Sequence, residues 1–228
     1  MQDHNAPPLN PLPLVVWVLA LPMIAMEVLL TLAARGLIGG AEGVGWRLQA
    51  LERFAFSPDL MRYMLEVGDY PLDGLHRLFS YSLIHVNFTQ GLFAVVLLLA
   101  LGKMVGEVFR WWAVLLVFFG AAAMGALVYT VVLPDVRAPL IGAYPAVYGL
   151  IGAFTFLLWV NLAAVGANKY RAFTMIGFLL GVQLVFGLLF GGGYEWVADL
   201  TGFLTGFALS FVVSPGGFGR VRDKIRQR

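Results

Sequence analysis

Apolar runs that approach or exceed the ~20 residues needed to cross a ~30 Å hydrocarbon core recur along this chain and leave little room for anything else. Six of them, read at about 14–34, 82–101, 111–133, 144–161, 173–190 and 196–213, account with their connections for nearly all of the 228 residues. A short polar tail, 1–13, precedes them, and a basic tail, 214–228, follows. The sequence therefore predicts an all-α, polytopic membrane protein with six spans, a long interfacial first loop and no separate soluble domain. Composition agrees, at 60% hydrophobic and 12% charged residues. A net charge of +2 is too small to point to nucleic acid. There is no cysteine, which excludes disulfides, thiol nucleophiles and thiolate metal sites. The three histidines, His4, His76 and His85, form no close ligand pair, so neither a metal nor a cofactor is expected.

Met1 to Pro8 is polar and proline-rich, with no basic region before the first apolar run, and does not read as a cleaved signal peptide. The first span is interrupted by Pro22 and by a lone carboxylate, Glu27. An ionisable group at that depth faces the bundle interior or a wet cavity, and Glu27 is read as a packing or snorkelling carboxylate ahead of a functional one. From Gly36 to about Arg77 aromatic and apolar residues spread over short helical periods among charges, the pattern of a loop lying in the membrane interface. Its glycine-rich piece, Gly39 to Gly45, lacks the ending of a phosphate-cradling motif and is read as a flexible loop. In the fifth span Gly177/Gly181 and Gly187/Gly191 recur at four-residue spacing beside one buried amide, Gln183; ordinary helix packing is the favoured reading.

Three motifs occur in order. Ser80-Tyr81-Ser82-Leu83-Ile84-His85 leads into the second span, with Gln90 and Ala94 one helical turn apart beyond it. Gly142-Ala143-Tyr144-Pro145-Ala146-Val147-Tyr148-Gly149 carries an outside turn into the fourth, and Asp199 stands three residues before Gly202-x-x-x-Gly206 in the sixth. Together these resemble the rhomboid intramembrane serine proteases over about Trp46 to Phe211, and the resemblance implies a six-transmembrane-helix rhomboid-like bundle. In that family a Gly-x-Ser-Gly turn supplies the nucleophile, a histidine before the Gly-x-x-x-Gly motif is the base, and a histidine and an asparagine on the second span help stabilise the oxyanion. Here those places read Tyr144, with Pro145 after it, then Asp199, Gln90 and Ala94. The retained surroundings are His85, where the family has a structural histidine, and Gly142, Ala143, Tyr148, Gly149, Gly202 and Gly206. The family's first-loop Trp-Arg pair corresponds either to Trp46-Arg47 or to Arg77; the sequence leaves both open.

A serine protease needs a base to take the nucleophile's proton and donors aimed at the oxyanion. A tyrosine hydroxyl ordinarily ionises near ~10 and a carboxylate near ~4, so an Asp-Tyr pair abstracts protons poorly. Pro145 has no N–H to offer an oxyanion, although proline is tolerated in a first helical turn. The expectation is a pseudoprotease with no catalytic residue, in which Tyr144 fills the space a serine leaves and Tyr144, Tyr148, Asp199 and Gln90 form one satisfied polar cluster. Its expected partners are the lipid bilayer and transmembrane segments of other membrane proteins, handled as clients in quality control or assembly. The alternatives are a peptidase with an atypical site and a permanent structural subunit of a membrane complex. Lysine and arginine counts lean to cytoplasmic termini: the outer segments hold Arg137 plus five first-loop arginines, which six acids offset. A bacterial inner membrane is the simplest placement.

Overall fold

The structure, a computed structural model, describes residues 11–190 and 193–215. It begins with α1 (Leu14–Ala34), which continues through Pro22. Five short helices then fold the first loop: α2 (Gly40–Gly43), α3 (Trp46–Phe54), α4 (Pro58–Val67), α5 (Leu72–Leu75) and α6 (Arg77–Ser80). The remaining long helices are α7 (Phe88–Gly106), α8 (Trp111–Val132), α9 (Tyr144–Ala164), α10 (Thr174–Phe190) and α11 (Glu195–Val213). No strand occurs among the described residues, only a single antiparallel bridge between Phe56 and Leu140. Five helices, α1, α7, α8, α9 and α11, are long and apolar enough to cross a membrane, which defines an integral, multi-pass protein. α10, with 17 residues, is shorter.

Helix ends follow from local chemistry. The second apolar run starts its helix at Phe88 rather than near Ser82, because the Asn87 side chain accepts the Gln90 N–H at 2.9 Å and caps it, while Tyr81–Leu83 form a separate 3-10 turn. α4 starts at Ser57, whose hydroxyl accepts the Leu60 N–H, with Pro58 in the first turn. The Gly39 to Gly45 stretch, expected as a flexible loop, instead contains α2, and Trp46 closes over Gly39.

α9 is the central element: Pro145 through Ala153 is buried without interruption, as a helix apolar on all sides must be. Glycines let it approach its neighbours. A methyl group added at Gly206 would strike the Gly149 carbonyl, one at Gly202 the Pro145 carbonyl, and one at Gly152 the Phe203 carbonyl. On the other side a methyl at Gly149 would strike the Ala121 side chain of α8. In lipid, apolar surface gains nothing from leaving hydrocarbon, so helices associate through close backbone contact of this kind.

α10 differs. Gly177 and Gly181 have nothing among the described residues within 4 Å of an added methyl, so the packing role expected for that pair is not what the structure shows. The reason is placement: these two glycines lie on the opposite side of α10 from Leu179, Val182 and Gln183, which face the bundle. The surroundings of Gly187, and Gly191 itself, lie outside the described residues, as do the basic tail beyond Pro215 and most of the N-terminal tail.

The first loop ties helix ends together. Arg62 donates to the carbonyls of Thr130, Leu133 and Val136, the last at 2.8 Å, closing a helix end whose carbonyls have no partner within the helix. Phe56 and Leu140 exchange backbone hydrogen bonds of 3.1 and 3.0 Å and anchor the connection that leads into α9.

Two glycine substitutions separate these environments. Gly206→Ala forces a methyl into a backbone carbonyl that cannot rotate away and is expected to cost about 2–3 kcal/mol. Gly177→Ala, facing open space in a helix, is expected to be neutral or to gain up to about 1 kcal/mol. Thermal melting of both variants in the same detergent checks the contrast.

Candidate functional site

The turn before α9 is held by backbone geometry that its sequence anticipates. Gly142 has φ +105°, a conformation open to glycine, and a methyl there would come within 2.9 Å of the Gln90 amide nitrogen. Its N–H donates to the Tyr81 carbonyl at 2.9 Å. Tyr81, fully buried, donates its hydroxyl to the Ala122 carbonyl at 2.8 Å, so the turn hangs on a residue fixed against α8. The next N–H, of Ala143, donates to His85 Nε2 at 3.4 Å.

Gln90 completes the clamp, and here the expectation of a cluster with Asp199 is corrected. Its Oε1 accepts the Val86 N–H at 2.8 Å and its Nε2 donates to the Ile141 carbonyl at 3.2 Å. Both ends of the amide therefore serve backbone on either side of the cavity mouth. Ala94, one turn further along α7, is fully buried and brings no polar atom.

Behind His85 lies a buried ion pair. Glu27 is 6% exposed, and Arg47 reaches it from the first loop at 2.6 Å. The same guanidinium donates to the His85 carbonyl at 2.9 Å and to the Thr31 hydroxyl at 3.2 Å, while that hydroxyl lies 3.0 Å from Glu27 Oε1. Of the two first-loop arginines left open by the sequence, Arg47 thus sits behind the site, whereas Arg77 donates to the Glu52 and Ala55 carbonyls at the end of α3. Glu27 is a structural carboxylate with a specific partner. Arg47 and Thr31 give it the hydrogen bonds that burial of a charge requires. His85, in the loop ahead of α7, is pushed down to about 4 by burial, with Glu27 pulling upward and Arg47 pushing further down. Its ring is neutral near pH 7 and free to accept from Ala143.

A cavity of about 670 Å³ lies between α7, α9, α10 and α11, below the 138–141 connection. Tyr144, Tyr148, Gln90 and Asp199 all line it. Tyr144 borders this space without filling it, contrary to expectation. Asp199, 4% exposed, has a different partner from those foreseen: its Oδ2 accepts from Gln183 Nε2 at 2.9 Å, and its Oδ1 is buried without a hydrogen bond among the described residues. The Tyr148 hydroxyl lies 3.5 Å from Gln183 Oε1. Gln183, noted in the sequence only as a buried amide, is therefore the hub that joins α9, α10 and α11. Its lone amide in an apolar span was the available signal. The turn-and-span spacing that located Tyr144 and Asp199 carries no information about which side chain of α10 faces them.

The geometry, a glycine turn opening a buried helix beside a Gly-x-x-x-Gly helix, has a counterpart among known families. The model of the Rhomboid domain matches residues 73–216, more than half of the chain. The chain belongs to the rhomboid family and is a multi-pass membrane protein of it. No curated protein matches it at a significant level.

The state of His85 gives a test. The folded ring titrates near 4 and the unfolded one near 6.5, so above about pH 6.5 both states are neutral and nothing is lost. As pH falls from about 6.5 towards 4 the unfolded chain takes up a proton that the folded one refuses. Stability is then expected to drop, by up to about 2–3 kcal/mol. Melting in detergent at pH 7 and pH 4.5 should show a smaller drop for His85→Gln than for the unaltered protein.

Proposed function

We propose that this chain is a non-catalytic rhomboid-like protein that holds transmembrane segments of other membrane proteins without cutting them, in client handling, quality control or assembly. It crosses a bacterial inner membrane six times with both termini cytoplasmic. α10, the fifth span in chain order, brings the five longer ones to six: 17 residues at 1.5 Å each reach about 25 Å, at the short end of what crosses a bilayer.

The observation that carries this reading is the make-up of the cavity wall. Among the described lining residues there is no serine, threonine, cysteine, histidine or lysine. The hydroxyl at the expected nucleophile's place is that of Tyr144, and the carboxylate in the base's place, Asp199, is bonded to Gln183 instead. Donors for an oxyanion are fewer as well. Pro145 has no N–H, Ala94 has no polar atom, and the Gln90 amide is engaged at both ends by backbone. What remains is a largely apolar volume, suited to side chains of an apolar segment rather than to acyl transfer.

The test is reaction of the purified protein with a fluorophosphonate serine-hydrolase probe, together with cleavage of a generic transmembrane substrate. The unaltered protein is expected to be silent in both assays. Labelling or cleavage that persists after removal of contaminating hydrolases overturns the reading. A variant carrying Tyr144→Ser, Pro145→Gly, Asp199→His and Gln90→His serves as the companion that restores the family's residues.

A further inference from the structure

We propose that the cavity takes up a cationic side chain, lysine or arginine, borne by a membrane-spanning segment, with Asp199 as its counter-ion. This rests on the reading above that the cavity receives such segments, and it names which ones.

Charge is the first ground. The lining contains two carboxylates, Glu195 and Asp199, and no basic residue among those described. Most of the remaining wall is apolar or aromatic, with Tyr144 and Tyr148 presenting rings that attract a cation over their faces. An anionic segment would meet only repulsion here, and a purely apolar one would leave the carboxylates as they are.

Unmet bonding capacity is the second ground. Asp199 is 4% exposed and, among the described residues, holds one hydrogen bond, from Gln183 to Oδ2, while the buried Oδ1 has none. An ionised carboxylate accepts several hydrogen bonds, and leaving such a group short of partners in an apolar setting is costly. A lysine or arginine within a membrane span is costly for the same reason. Bringing the two together removes both deficits at once, which no neutral side chain does. Gln183 stands at the cavity edge and donates to Oδ2 from α10, so a cation arriving beside it meets the carboxylate without having to displace a salt bridge.

Depth is the third ground. Asp199 lies four residues past Glu195, the first residue of α11, hence about 6 Å along the helix from its outer end. The segments selected are those with a basic residue roughly one turn inside the end of their apolar run. Segments with a basic residue at the middle would place the charge too deep.

The experiment uses the full chain in liposomes, with a donor dye on one introduced cysteine, since the protein has none of its own. Acceptor-labelled peptides carry one apolar span of about 20 residues and differ at a single position about one turn from its end, as leucine, lysine, acetyl-lysine or glutamate. Energy transfer is expected to show the lysine peptide bound about tenfold more tightly than the leucine peptide, with acetyl-lysine reduced to the leucine level. Asp199→Asn, which can still accept from Gln183, is expected to abolish the preference for lysine. If all peptides bind alike, the cation site is wrong and the segment-binding reading stands. If none binds, both fall. A lysine preference that survives Asp199→Asn places the cation elsewhere and also overturns the proposal. The acetyl-lysine comparison is made on the unaltered protein, so the outcome does not depend on the folding of a variant.

Discussion

Backbone contact between α9 and α11 is the constraint on which the rest of this bundle depends. Pro145 meets Gly202 and Gly149 meets Gly206, so the two helices advance together by four residues and run parallel. Parallel alignment brings their starting ends to the same side of the bundle. That alone sets Tyr144, just before Pro145, and Asp199, just before Gly202, on one cavity. Any side chain larger than hydrogen at Gly202 or Gly206 would separate the helices and the residues they carry. Lipid offers no hydrophobic penalty to hold them together, so the close approach itself supplies the cohesion.

A second chain of contacts fixes the turn that opens α9. Glu27 on α1 holds Arg47 of the first loop; Arg47 holds the His85 carbonyl; the His85 ring receives the Ala143 N–H. Each step satisfies a polar group that would otherwise be buried alone, and the first is a buried ion pair whose partners are both needed. The first loop is therefore a structural brace. Arg62 extends it to the end of α8, and the Phe56–Leu140 pairing extends it to the connection before α9.

α10 is joined to this core differently. Its outward glycines touch nothing, and Gln183 provides its polar link to Tyr148 and Asp199. Ile176 sits in the core and Met175, Leu179 and Leu180 pack against it, while a hydrogen bond such as that of Gln183 contributes only about 1 kcal/mol net.

The order of the long helices, the multi-pass class, the family's turn and the Gly-x-x-x-Gly helix were all legible in the sequence, because each is a local pattern: a run of apolar residues, a glycine needed at φ +105°, two small residues one turn apart. The same glycine spacing misled in α10, where Gly177 and Gly181 match the pattern of Gly202 and Gly206 but face away from the bundle. Spacing places residues on one side of a helix without saying what lies opposite. The partners of polar groups were likewise hidden. Gln90 turned to backbone at Val86 and Ile141, Glu27 to Arg47, and Asp199 to Gln183, across separations that only packing closes. Sequence by itself determined which helices form and where close contact is permitted, since those follow from local chemistry. Tertiary structure decided which polar atoms meet and that the cavity stays open, since a buried group takes whichever partner the assembled bundle brings within reach.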